Sequence, residues 1–390
     1  MDVCVEPGQL CGGYRAPGSK SVSIRALACA GLARGTSLIL APSLCDDSLA
    51  AIRAVRALGA QVQLGLLFGL PCALVRGSPP DRWVKKEHIS IDCGESALCM
   101  RMFACIAALS EKQITLTACS TLATRSMAML ESQLAAFGAS CVSKAGYPPL
   151  VVRGPLHAGS AVVDGSSSSQ SISGLLSSLP LCSGSSELVV NNAASSGYLD
   201  ITEQVMKRFG VRVRHREPEA SGPDTTGFDA TAVPPSAVRR SYHIAAGAYR
   251  PAVFRVEGDW SSAAFILAAA ASTSSAITVK GVRADSVQPD KAVLNALSSA
   301  GIVVKHIGPD SFRTAGAQKL RPFSFDASQC PDLFPPLVAL ASRCPGHSHI
   351  AGVDRLVGKE SNRVLSLVTE FAKLGVTIRI SGQTMQIEGL

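Results

Sequence analysis

The chain has 390 residues and a mass of 40.4 kDa, long enough for two or three domains with sizeable cores. Apolar residues make up 47% and charged residues 17%, which excludes disorder for the bulk of the chain, and no apolar stretch reaches the roughly 18 residues that span a bilayer. The excess of 37 Lys+Arg over 29 Asp+Glu leaves +8, which favours anionic partners; 5% aromatics leave few stacking platforms for nucleic acid, so small phosphorylated ligands are expected.

The N-terminus, Met-Asp-Val-Cys-Val-Glu-Pro, lacks the basic and apolar regions of a signal peptide, so a cytoplasmic location is expected. Thirteen scattered cysteines without a Cys-x-x-Cys pair read as reduced, mostly buried thiols. The first sharp signal is Pro17-Gly-Ser-Lys20-Ser21-Val-Ser-Ile-Arg25, a Gly-Ser loop opening a helix near Ser21. Free backbone N–H groups there, with small hydroxyls, Lys20 and Arg25 one turn on, suit an anion site, the alternative being an N-capped surface helix. It is not a P-loop, because Ser19 stands between Gly18 and Lys20.

A junction then recurs along the chain: an amphipathic helix ends at a Gly and a short alternating strand follows. It appears around Gly59, Gly138, Gly210, Gly301 and Gly375, at spacings of 79, 72, 91 and 74 residues. That suits an α/β unit used five times and is too long for a solenoid. Between these junctions lie Arg101 and Arg125, each placed at the entry of an apolar helix. Next comes Asp164-Gly-Ser-Ser-Ser168-Ser169-Gln170, equally a linker or an oxyanion-holding helix start. Glu217 to Pro235 reads as a loop. Asp332 follows, in Cys330-Pro-Asp-Leu, either capping a helix from Leu333 to Ser342 or doing chemistry. Gly358-Lys359-Glu360-Ser-Asn-Arg363 is either a charge-paired helix start or an acid/base Glu tuned by two cations.

The order of these motifs resembles the enolpyruvyl transferases, on the EPSP synthase branch of that family. Gly18 to Arg25 resembles the family's N-terminal signature, Gly94 to Arg101 its glycine-rich Arg motif in outline, and Thr124-Arg125-Ser-Met its carboxylate-binding segment. Ser168-Ser169-Gln170, Ser195 to Tyr198, Glu257-Gly-Asp-Trp-Ser-Ser, Pro331-Asp332 and Lys359 to Arg363 complete the match. The resemblance implies a two-domain α/β fold. Each domain is an inverted α/β barrel of repeated βαβαββ units about a pseudo-threefold. The domains are expected at 1–18 plus 257–390, with the last unit incomplete, and at 19–256, inserted and carrying most shikimate 3-phosphate ligands. The family's terminal Asp-His-Arg and lysine motifs have no counterpart here.

The resemblance also implies the reaction, one of the shikimate pathway that leads to chorismate and the aromatic amino acids. The enolpyruvyl group of phosphoenolpyruvate passes to the 5-hydroxyl of shikimate 3-phosphate and phosphate leaves. Lys20, Asp332 and Glu360 are the expected catalytic residues. Lys20, Ser21, Arg25, Ala97, Arg125, Ser168, Ser169, Gln170, Ser195, Tyr198, Asp332, Lys359 and Arg363 are the expected substrate ligands. Ala97 stands where the family often has glycine beside phosphoenolpyruvate. Neither a metal nor an organic cofactor is expected, nor a nucleic-acid or membrane partner, and the chain is expected to be a monomer. Two alternatives accompany this reading: a non-catalytic remnant that binds shikimate 3-phosphate, and a UDP-N-acetylglucosamine enolpyruvyl transferase. The second would carry Asn where Ser21 follows Lys20.

Overall fold

A computed structural model describes residues 6, 8–83, 88–216, 239–316 and 319–390. The expected loop from Glu217 to Pro235 lies outside the described residues. The elements fall into five successive runs of the same form. The first is β1 (Gly13–Arg15), α1 (Lys20–Leu32), β2 (Thr36–Leu40), α2 (Asp46–Ala57), β3 (Gln61–Leu67) and β4 (Leu70–Arg76). The second is β5 (Ile89–Asp92), α3 (Ala97–Ala107), β6 (Ile114–Thr117), α4 (Met129–Ala135), β7 (Ser140–Lys144) and β8 (Tyr147–Arg153). The third is β9 (Ser160–Asp164), α5 (Ser169–Ser178), β10 (Ser186–Asn191), α6 (Gly197–Arg208), β11 (Val213–Arg216) and β12 (Arg240–Ile244). The fourth is β13 (Val253–Arg255), α7 (Trp260–Ser272), β14 (Thr278–Lys280), α8 (Val293–Ser299), β15 (Val304–Gly308) and β16 (Ser311–Thr314). The fifth is β17 (Ser324–Asp326), α9 (Phe334–Ala341), β18 (Gly346–Ala351), α10 (Arg363–Ala372), β19 (Thr377–Ser381) and β20 (Thr384–Gly389).

Each run corresponds to a four-stranded sheet with one ordering, seen most simply in β5-β6-β8-β7. The first two strands are parallel, joined through a helix, and the last two form an antiparallel hairpin. All five junction glycines have positive φ, between 78° and 95°, the left-handed conformation that ends a helix and turns the chain into the next strand. In two sheets the leading strand is exchanged: β1 pairs with β14, and β13 pairs with β2.

The chain divides into two compact units, Met1–Ser19 with Glu257–Leu390, and Lys20–Val256. The larger unit holds three sheets and is centred on α1, α3 and α5. Every residue of α3 is buried, as is every residue of α1 from Val22 onward. Helices buried on all sides need small side chains where backbones approach. A Cβ on Gly174 of α5 would meet Cys105 Cβ and the Met102 carbonyl oxygen of α3 at 2.9 Å. The smaller unit packs α7 and α9 over two sheets, with Trp260, Leu267, Val279, Leu297, Phe334, Leu337 and Met385 in its core. Among the described residues no helix is long and apolar enough to cross a membrane, and each cysteine is a free thiol.

Candidate functional site

In the larger unit most of the expected ligands lie in the first turns of helices or just before them, Arg125 excepted. Lys20 is the first residue of α1; its Nζ lies 3.0 Å from Asp47 Oδ2 in the first turn of α2. One turn on, Arg25 is 1% exposed, because α1 is buried here. Its Nε donates to Thr202 Oγ1 (2.7 Å), one terminal nitrogen to Ser173 Oγ (2.9 Å) and the other to the Ser21 carbonyl (2.9 Å). Burial is the main influence on its proton affinity, lowering its pKa to about 10, against a smaller upward effect of Tyr198. Ser173 Oγ in turn donates to the Ser169 carbonyl, and Thr202 Oγ1 lies 2.9 Å from the Tyr198 carbonyl. Arg25 therefore ties together the backbones of three segments that carry expected ligands: Ser21, Ser169 and Tyr198.

The serine run opens a helix: Ser168 is the N-cap of α5, accepting from Gln170 N at 3.1 Å. Ser168 and Ser169 are 7% and 6% exposed. Ser195 has φ 51°, and its carbonyl accepts from Tyr198 N, which brings the start of α6 round. Ala97 is the first residue of α3, buried behind the N-cap Ser96. Arg101 lies in the middle of α3, not at its entry. Arg125 does not enter a helix either. It follows the short 3₁₀ turn Ser120–Thr124 in an extended conformation (φ −93°, ψ 134°). Met127 N then donates to the Gly146 carbonyl, so α4 starts only at Met129. Arg125 is 8% exposed.

In the smaller unit Asp332 does not occupy a helix N-cap: it lies within the 3₁₀ turn Pro331–Leu333, whose N-cap is Cys330, and Leu333 is the N-cap of α9. Asp332 Oδ1 accepts from Arg363 at 2.6 Å and stands 3.8 Å from Lys359 Nζ. Arg363, the first residue of α10, also donates to Glu360 Oε2 at 2.9 Å. Lys359 and Glu360 precede the helix, whose N-cap is Asn362. Burial lowers the Lys359 pKa, with Arg363 adding to the effect and Asp332 opposing it. The Arg363 pKa is raised by Asp332 and Glu360, against burial. Two carboxylates thus share one guanidinium, with a desolvated amine beside the first.

Glu257 to Ser262 is a framework for this unit. Asp259 caps α7, accepting from Ser262 N at 2.8 Å, and Glu257 accepts from Ser286 Oγ at 2.9 Å. Gly258 is required by close approach, since a Cβ there would lie 2.6 Å from the Gly281 carbonyl oxygen. Sequence reasoning missed Asp290, which follows Pro289 and reads as a helix-start residue. It is 2% exposed, its Oδ2 accepts from Ser261, and its Oδ1 has no hydrogen-bond partner among the described residues. Burial and then the charge of Asp332 raise its pKa from 3.8 to about 7.

The family profile described as EPSP synthase (3-phosphoshikimate 1-carboxyvinyltransferase) matches residues 5–390. A 3-phosphoshikimate 1-carboxyvinyltransferase of Methanothermobacter thermautotrophicus is 32% identical over 392 residues, covering 100% of this chain and 86% of its own length. The protein of the same name from Methanosphaerula palustris is 34% identical over 379 residues, covering 96% and 83%. The solved EPSP synthase of Acinetobacter baumannii superposes with a TM-score of 0.76 at 22% identity, covering 98% of this chain and 83% of that one, a likeness of fold. The five repeats and these relatives agree, and the chain belongs to the EPSP synthase family.

Proposed function

We propose that the chain transfers the enolpyruvyl group of phosphoenolpyruvate to the 5-hydroxyl of shikimate 3-phosphate, releasing phosphate. The observation that carries this reading is the family match over residues 5–390, which includes every expected site residue. Lys20, Ser21, Ser168, Ser169, Gln170, Ser195 and Tyr198 hold shikimate 3-phosphate, with Arg25 supplying positive charge from beneath Ser21. Arg125, Lys359 and Arg363 offset the charge of phosphoenolpyruvate, and Ala97 lies against it.

The chemistry has two halves. In addition, Asp332 takes the proton of the 5-hydroxyl, whose oxygen attacks C2 of phosphoenolpyruvate, while Glu360 delivers a proton to the C3 methylene. A tetrahedral adduct with a C2–O bond and a methyl group results. In elimination, the C2–phosphate bond breaks, a methyl proton returns to a base, and the vinyl ether and phosphate are released, with Lys20 aiding the departing phosphate. The hydrogen bonds from Arg363 hold the Asp332 and Glu360 carboxyl groups on one guanidinium, so the base and the acid keep a fixed spacing. A coupled assay for phosphate release tests the reading: release must require both substrates together. Release from phosphoenolpyruvate alone, or none at all, would reject it.

A further inference from the structure

We infer that Arg101 is a positioning residue: it fixes Ser168 and Gln170 as hydrogen-bond donors toward an anion and pins the Arg125–Ser126 segment beside them. The inference rests on the function proposed above, and it concerns a side chain given no role there. Arg101 is 8% exposed on α3, a helix otherwise packed with apolar residues. A buried guanidinium is retained at a desolvation cost, so what it bonds to is informative.

One terminal nitrogen of Arg101 donates to Ser168 Oγ (3.3 Å) and to Gln170 Oε1 (3.0 Å), and the other to the Ser126 carbonyl (3.2 Å). These contacts set polarity as well as place. A serine hydroxyl has one proton and two lone pairs. Ser168 Oγ already accepts from Gln170 N and from Arg101, so both lone pairs are engaged. Its proton, with no acceptor among the described residues, is left to donate. A glutamine amide has two orientations that differ little in shape. Because Arg101 has only donors to offer, Gln170 must turn Oε1 toward it, and the Nε2 donors face the other way. Arg101 thus converts two ambivalent side chains into a donor pair, the polarity that a phosphate needs. The third bond fixes the carbonyl next to Arg125, so the two anion-holding segments keep one spacing.

The test uses the full chain with Arg101→Lys and Arg101→Met, folding being followed by circular dichroism. Dissociation constants for shikimate 3-phosphate come from calorimetry, and steady-state kinetics run beside them. Lys keeps the charge but cannot span three acceptors with a planar fork. The expected result is a rise of roughly 10–100-fold in KM and Kd for shikimate 3-phosphate in both variants, with a much smaller change in kcat. In Gln170→Glu the acid has no Nε2 donors, and the same affinity loss is expected although the Arg101 contact survives. If Arg101→Met does not fold, Arg101→Lys and Gln170→Glu decide. Variants that bind shikimate 3-phosphate within twofold of the parent overturn the role of Arg101. A parent chain that does not bind it overturns the functional reading instead.

Discussion

The Nε of Arg25 donates to Thr202 Oγ1 across 2.7 Å, joining α1 to α6 between residues 177 apart in sequence. The bond lies in the core, where a donor deprived of its acceptor keeps its full desolvation cost. Thr202 Oγ1 also bonds the Tyr198 carbonyl one turn back in α6, so the internal contact with Arg25 reaches the start of that helix. Thr202→Val keeps the volume and removes the acceptor. We expect a stability loss of about 1–3 kcal/mol, read as a fall in Tm of about 2–4 °C per kcal/mol, together with a higher KM for shikimate 3-phosphate. Unchanged Tm would show that Arg25 finds another acceptor.

Lys20→Met should leave the fold intact and remove most activity. The pairing of Lys20 with Asp47 is solvent-exposed, with the Lys20 side chain 47% accessible, and such pairs contribute less than about 1 kcal/mol to stability. A charge-assisted contact to substrate is worth roughly 1.5–3 kcal/mol in binding, before any loss in proton transfer. Retention of half the parent rate would remove Lys20 from the site.

Asp332→Asn and Glu360→Gln preserve shape and abolish base or acid capacity. Each should lower kcat by about 10²–10⁴ while shikimate 3-phosphate affinity changes little. The Arg363 contacts predict an asymmetry: Glu360, the more exposed partner, leaves Arg363 anchored on Asp332 when it is replaced, whereas Asp332→Asn loosens Lys359 and Arg363 together. Asp332→Asn should therefore also raise the KM for phosphoenolpyruvate. Calorimetry beside kinetics separates these effects, and equal losses in binding and rate would make both residues anchors.

Asp290 predicts a pH dependence of stability. Its carboxyl is raised from 3.8 to about 7 in the folded chain, so the folded state holds a proton that the unfolded state has lost. The stabilisation is complete below the unfolded pKa and is lost as pH rises through the folded one, between roughly pH 4 and 7. Asp290→Asn mimics the protonated acid and has no such loss. Thermal melts at pH 5 and pH 8 should show the variant gaining on the parent by several degrees at the higher pH. A constant difference between the two pH values would contradict the burial argument.

Gly174→Ala should destabilise the larger unit by about 1–3 kcal/mol, since the added methyl would lie 2.9 Å from Cys105 and from the Met102 carbonyl oxygen. A Tm equal to that of the parent would mean that α3 and α5 separate without cost.

The repeat was legible because its signals are local. A glycine that must take positive φ, placed after apolar residues at helical spacing, reports on its own surroundings at Gly59 as it does at Gly375. Asp290 was hidden for the opposite reason. What makes it unusual is enclosure by residues distant in sequence, Ser261 and Asp332 among them, while its immediate neighbours suggest only a turn. Arg125 misled in a related way: the apolar run after it suggests a helix, but the bond from Met127 to the Gly146 carbonyl, set by a hairpin farther along, delays that helix to Met129. The contact between Arg363 and Asp332 was hidden too, because 31 residues separate them and no local pattern pairs them.

The pairing of β1 with β14 has a consequence for the order of events during synthesis. Leu10 N also bonds Ser275 Oγ, 265 residues away, so the first strand of the chain is made long before anything it can dock on. At translation rates of about 5–20 residues per second, that wait is on the order of tens of seconds. All three sheets of Lys20–Val256 can close within it, since β13, their last strand, emerges before β14. The inserted unit is thus poised to mature on the ribosome as a finished object, while the strand preceding it stays a loose thread until the remainder of its own sheet arrives.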